Sequence, residues 1–179
     1  MARATRLILI GPECTGKTTL ARALAATAGA LWVPEAARLF AEAAPAPLSA
    51  ATVDPIARLA IALDDAARGS RADRLVYDTD LVSTVVYARH YYGHCPAWIV
   101  AEAARRLGDR YLLCVPDLPW RADGVRDRGT QRSALFTAFV DTLHAFGARI
   151  ALVGGTGAGR LAAARAAGEA AGAGTSRGD

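Results

Sequence analysis

Leu7-Ile8-Leu9-Ile10-Gly11-Pro12-Glu13-Cys14-Thr15-Gly16-Lys17-Thr18 is the stretch on which the reading of this chain turns. Four consecutive aliphatic residues leave no polar face, the pattern of a strand buried on both sides within a parallel sheet. The run stops at a glycine, and the eight residues from Gly11 to Thr18 match the spacing G-x-x-x-x-G-K-[ST]. Glycines at the first and sixth places let successive backbone N–H groups turn toward one anion, and a helix starting at the end of the motif adds its positive dipole end. The stretch therefore predicts a strand, a phosphate-cradling loop and a helix, in that order. The competing reading is a glycine turn that only caps a helix, and the flanking strand and helix count against it.

Outward from the loop, strands and helices alternate. Thr18 to Ala28 carries Leu20, Ala23, Leu24 and Thr27 at helical spacing, and Gly29 follows where a helix-ending glycine is common. Leu31 to Val33 reads as a strand, Glu35 to Ala43 as a helix, and Pro45 to Ser49 as a proline-rich connection. A longer helix is predicted from Thr52 to about Arg68, then a strand from Arg74 to Tyr77, and helices over Leu81 to Tyr92 and Pro96 to Gly108. Tyr111 to Val115 and Arg149 to Val153 supply two more strands, with a helix from Gln131 to Phe146 between them and another from Arg160 to Ala171. Trp120 to Arg132 has no hydrophobic period and reads as an excursion. The expectation is a three-layer α/β sandwich around a five-stranded parallel sheet, formed as one domain over residues 1–171, with an unordered alanine and glycine tail at 172–179.

Bulk composition narrows the class. The chain has 179 residues, 53% of them hydrophobic, enough for one good core. The aliphatic run before Gly11 is too short for a secretory leader or a membrane span, so a cytoplasmic protein is expected. Cys14, Cys95 and Cys114 follow no disulfide or zinc spacing. The net charge of +4 is small for a nucleic-acid binder. Of the 21 basic residues, Lys17 alone is a lysine, and it stands where a compact ammonium would reach between the β- and γ-phosphates of a nucleoside triphosphate.

The loop dictates the rest of the candidate site. The segment Gly11, Pro12, Glu13, Cys14, Thr15, Gly16, Lys17, Thr18 and Thr19 is expected to hold ATP, with the Thr18 hydroxyl on magnesium and Thr19 adding a hydrogen bond to a phosphate. Asp78, at a strand end, is the expected metal carboxylate. Asp80, two residues on, could contact an acceptor hydroxyl or simply cap the helix that begins at Leu81. Residues 154–159 superficially match a dinucleotide fingerprint, but no strand follows and no acidic residue stands about twenty positions on. A loop bordering the adenine, with Arg160 nearby, or a plain flexible turn fits them better.

Taken with the loop, Val33-Pro34-Glu35-Ala36-Ala37-Arg38, Asp78-Thr79-Asp80 and Asp123-Gly124-Val125-Arg126-Asp127 resemble the nicotinamide riboside kinase domain of NadR-type proteins, over most of the chain. The resemblance implies a P-loop kinase fold with an arginine-rich lid, ATP and magnesium as cofactors, and a nucleoside acceptor. It implies transfer of the γ-phosphoryl group to the 5′-hydroxyl of nicotinamide riboside, giving nicotinamide mononucleotide. In that scheme Lys17, Glu35, Asp78 and Arg126 are catalytic, Arg128 and Arg132 hold nucleotide phosphates, and Trp32, Glu35, Arg38, Asp80 and Tyr91 line the acceptor. Either Glu35 or Asp80 could deprotonate the attacking hydroxyl, and Glu35 could equally be a first-turn acid or a partner of Arg38. Trp32, Tyr91 and Tyr92 could clamp a cationic ring or belong to the core. Arg121 joins Arg126, Arg128 and Arg132 in the lid, with Gly124 and Gly129 as hinges.

Overall fold

The computed structural model describes residues 3–43, 46–118 and 131–172. Strand β1 (Thr5–Ile10) leads into helix α1 (Lys17–Ala28), then β2 (Leu31–Val33), α2 (Ala36–Ala43) and α3 (Val53–Arg68). After these come β3 (Arg74–Asp78), α4 (Leu81–Tyr92), α5 (Ala97–Arg105), β4 (Arg110–Cys114), α6 (Arg132–Ala145), β5 (Ile150–Val153) and α7 (Gly157–Gly172). The five strands make one parallel sheet in the order β2-β3-β1-β4-β5.

β1 lies at the centre, and that position explains its unbroken apolar run. Ile8 and Ile10 face a core shared with Leu75, Tyr77, Tyr111, Leu113 and helices α3 to α6. Leu7 and Leu9 face the opposite side, where Val76, Leu112 and Cys114 pack on α1 and α7. Ile8, Leu9, Ile10, Leu112, Leu113 and Phe139 are all essentially inaccessible to solvent, each worth about 1.5–3 kcal/mol of burial. Helices on both faces make the expected three layers, and the tail residues 173–179 lie outside the described residues.

Several boundaries depart from expectation: α7 runs from Gly157 to Gly172 in place of Arg160 to Ala171, taking the first tail residue into the helix, and at β1 and α5 the physical reasons are clear. β1 starts at Thr5 because Thr5 and Arg6 continue the register with Arg74 and Leu75 although neither is apolar. Arg6 is 4% exposed, its backbone N–H donating to Asp109 and its guanidinium to the Arg106 carbonyl. Helix α5 stops at Arg105, short of the expected Gly108. Arg106 is drawn toward Asp64, Asp65 and Glu102, and Gly108 turns against Ile8, where a Cβ would lie 2.4 Å from a side-chain carbon. Asp64 anchors this region. Burial pushes its carboxyl up, but hydrogen bonds from Arg68, Tyr77 and Arg106 hold it below the ordinary carboxylate range.

Candidate active site

The carboxyl ends of β1, β3 and β4 meet at one edge of the sheet, where an open α/β sheet presents its ligand crevice. The loop leaving β1 begins at Gly11, whose φ is 138°, and a Cβ there would lie 2.8 Å from the Cys114 carbonyl oxygen. Only glycine suits that combination of close approach and backbone angle. Cys14 (φ 55°) and Gly16 (φ 72°) are also left-handed, so the chain winds into a concave nest before α1 starts. Inside it, the Thr15 hydroxyl and the Lys17 ammonium both donate to the Pro12 carbonyl, at 2.9 and 2.7 Å. Lys17 is 9% exposed and folded over the loop, where an anion with stronger acceptors would displace the carbonyl.

Asp78 ends β3 beside this nest. It is 1% exposed, and neither carboxylate oxygen has a hydrogen-bond partner of normal geometry among the described residues. Burial raises its pKa and the negative Glu35 raises it further, opposed by the Thr18 hydroxyl and the charges of Lys17 and Arg38. These same neighbours show that Asp78, Thr18, Lys17 and Glu35 form one cluster. A buried carboxylate beside the Thr18 hydroxyl, with no hydrogen bond of normal geometry to either oxygen, suits a hard divalent cation, which oxygen ligands bind best. Thr79, the next residue, sits at φ 66°, an uncommon angle for a β-branched side chain, while its N–H continues the ladder to Leu9.

Glu35 begins the turn into α2 at 8% exposure, its carboxylate 3.9 Å from Arg38. Asp80 has taken the capping role. One oxygen accepts from the Val82 N–H at 3.0 Å and the other from the Tyr111 hydroxyl at 2.5 Å, while burial lifts its pKa to about 6. A cavity of about 30 Å³ lies among Glu35, Asp64, Asp80 and Ser83, with room for a water and not for a nucleoside. Glu13 is 3% exposed and is held by hydroxyls of Tyr87 (3.3 Å) and Tyr91 (3.2 Å), whose rings stack 5.8 Å apart. Tyr91 therefore reaches the loop, and Tyr87, one helical turn earlier, reaches it too.

Trp32 is not brought to this edge. It packs on the α1 face with Arg22 4.5 Å over its ring, because its place in β2 opposite Val76 points it to that layer. Arg132 begins α6 and donates to the carbonyls of Leu118 (3.0 Å) and Cys14 (3.4 Å), so it braces the loop from outside. Arg126, Arg128, Arg121 and Trp120 lie outside the described residues. Arg160 lies against the Gly11–Thr18 loop. It is 5% exposed and donates to the Thr15 carbonyl, the Asp117 carboxylate and the Gly155 carbonyl.

Three contributors were not singled out from sequence: Tyr87, Asp117 and Thr79. Tyr87 had a signal, its four-residue spacing from Tyr91. Asp117 and Thr79 had none, since one acts across 43 residues and the other through its backbone.

A family model described as an AAA domain matches residues 6–160, from the start of β1 to Arg160 in α7. The chain belongs to the AAA domain family. Its fold matches that of a NadR protein solved in complex with NR, with a TM-score of 0.76 and 21% identity over 92% of this chain and 50% of that one. A NadR protein in complex with NAD and AMP-PNP matches at 0.72 and 21%, over 92% and 48% respectively. This AAA domain thus spans about half the length of the NadR chains it matches. The YorR protein of Bacillus subtilis, solved in complex with phosphorylated GDP, matches at 0.52 and 16%, over 83% of this chain and 84% of that one. No curated protein matches the chain in sequence. Among the described residues, no helix is long and apolar enough to cross a membrane and no cluster of three or more metal-binding side chains occurs.

Proposed function

We propose that this AAA domain is an ATP-dependent small-molecule kinase whose acceptor is the 5′-hydroxyl of nicotinamide riboside, with nicotinamide mononucleotide as product. The observation that carries the reading is the pairing of a lysine-bearing phosphate nest with Asp78, a carboxylate buried without a hydrogen-bond partner of normal geometry. A loop that only capped a helix would have no use for such a carboxylate, whose burial costs stability. Support for the acceptor comes from the order of the motifs around Glu35, Asp78 and Arg126 and from the NadR-like fold.

In this reading the loop amides and Lys17 bind the β- and γ-phosphates and hold the terminal phosphoryl group in line with the acceptor. Thr18 and Asp78 would hold magnesium, which supplies charge neutralisation at the phosphates. Glu35, beside Asp78 at the carboxyl edge of the sheet, receives the acceptor hydroxyl and takes its proton. Arg126 and Arg128 offset charge on the transferring group. Tyr91 and Arg38 complete the acceptor wall, and such an enzyme works in the cytoplasm.

One observation favours a second acceptor. Ala36, where an aromatic often follows the glutamate in the resembling family, is 8% exposed in a cluster with Ala37, Ile56 and Phe40, so position 36 itself offers no ring to stack on. Another nucleoside on the same machinery is the alternative. Incubation with magnesium-ATP and a panel of nucleosides, read by mass, decides between them: nicotinamide mononucleotide as the dominant product supports the proposal, and a different phosphorylated nucleoside replaces its acceptor. ATP binding with no phosphorylated acceptor from the panel overturns the kinase reading in favour of a nucleotide-responsive module.

A further inference from the structure

Three segments far apart in sequence meet at one guanidinium. Arg160, in the first turn of α7, donates from one terminal nitrogen to the Thr15 carbonyl at 2.8 Å. Its other terminal nitrogen donates to Asp117 at 2.8 Å and to the Gly155 carbonyl at 2.9 Å. The second oxygen of Asp117 accepts the Gly155 N–H at 2.5 Å. Asp117 also approaches Gly154 so closely that a Cβ there would lie 2.9 Å from its oxygen. The glycines after β5 thus serve a latch in which a carboxylate grips the backbone from above and an arginine fork ties it to the phosphate loop.

What the latch does follows from peptide geometry. In a trans peptide unit the C=O and the N–H of the next residue point in opposite directions, and the described residues contain no cis bond. Drawing the Thr15 carbonyl outward onto Arg160 turns the Gly16 N–H inward. Arg132 treats the preceding peptide alike, holding the Cys14 carbonyl and so turning the Thr15 N–H inward. Two arginines grip the backs of the two peptides whose amide fronts would face a phosphate, leaving those donors pre-aimed.

We propose that Arg160, anchored by Asp117, is a positioning residue for the triphosphate: it acts through the Thr15 carbonyl to fix the donors of the phosphate nest. This rests only on the loop's binding a nucleoside triphosphate, and not on which acceptor is used. Arginine is required because a single ammonium cannot span the Thr15 carbonyl, the Asp117 carboxylate and the Gly155 carbonyl together. Asp117 is exposed on the loop after β4, so its removal spares the core.

The test is equilibrium binding by calorimetry of a non-hydrolysable ATP analogue with magnesium, and of AMP, to wild type, Arg160→Met, Arg160→Lys and Asp117→Ala, with melting temperatures alongside. Arg160→Met is expected to weaken the triphosphate about 10–100-fold and Asp117→Ala about tenfold, the range of a lost charge-assisted hydrogen bond. Arg160→Lys should fall between Met and wild type, and AMP affinity should change less than about threefold in every variant. A merely structural arginine would lower the melting temperature and weaken both ligands alike, and that result overturns the proposal. Should Arg160→Met fail to fold, Asp117→Ala decides, with unchanged triphosphate affinity again overturning it. A wild-type protein that binds no triphosphate defeats the reading of the loop itself, a failure distinct from variants that bind as wild type does.

Discussion

Replacing Asp78 with asparagine should make the ligand-free protein more stable while removing its activity. The carboxylate is 1% exposed and has two oxygens without hydrogen-bond partners of normal geometry, and each unsatisfied buried polar atom costs about 1–3 kcal/mol, more when charged. Asparagine removes the charge, relieves the repulsion with Glu35 and gains an N–H₂ that can donate to Glu35 or to the Thr18 hydroxyl. A net gain of about 1–2 kcal/mol raises the melting temperature by about 2–8 °C in a domain of this size. The pH dependence fixes the sign. Asp78 has a folded pKa above its unfolded value of 3.8, so its ionisation penalty is fully present above the folded pKa and relieved as pH falls. The advantage of the variant should therefore be largest at high pH and shrink as pH falls through the raised pKa of Asp78. Activity goes the other way: loss of a metal-holding carboxylate removes several kcal/mol of transition-state stabilisation, about 10³-fold in turnover. Differential scanning fluorimetry across pH, paired with a coupled ADP-release assay on the acceptor found by the nucleoside panel, reads both quantities. A lower melting temperature with turnover within about threefold of wild type would refute the argument for Asp78.

The same reasoning extends to other positions. Gly11→Ala forces a methyl against the Cys114 carbonyl at an angle side chains rarely adopt, so nucleotide binding should vanish in calorimetry and stability fall by about 2–4 kcal/mol in urea titrations. Asp80→Asn keeps the acceptor for the Val82 N–H but cannot ionise; because the Asp80 pKa rises from 3.8 to about 6 on folding, stability of the variant relative to wild type should improve by up to about 3 kcal/mol between pH 4 and pH 7. Denaturant midpoints that run parallel for the two proteins across that range would contradict the assignment. Lys17→Arg should abolish phosphoryl transfer, since a longer planar group does not fit where the ammonium now lies 2.7 Å from the Pro12 carbonyl; retained activity would mean the nest is not the phosphate site.

The sequence by itself determined the sheet and the loop. An unbroken Leu-Ile-Leu-Ile run demands burial on two faces, and Gly11, at φ 138°, tolerates its place in the loop only because it has no side chain. Those are local requirements, written in neighbouring residues. Tertiary structure decided which polar residues meet at the carboxyl edge of the sheet and with what partners. Asp80 and Asp78 are two residues apart on one strand end, yet one carboxylate is absorbed by Val82 and Tyr111 while the other, beside the Thr18 hydroxyl, has no hydrogen bond of normal geometry, because Tyr111 arrives from β4, 31 residues after Asp80. Trp32 was an aromatic beside the right motif, but its register opposite Val76 turned it to the far face. Arg160 stands three residues into α7, and only the meeting of α7, the Asp117 loop and Thr15 across 145 residues joins it to the Gly11–Thr18 loop. Periodicity records which face of an element is apolar, whereas the partner of a buried charge depends on which other element the fold brings opposite it.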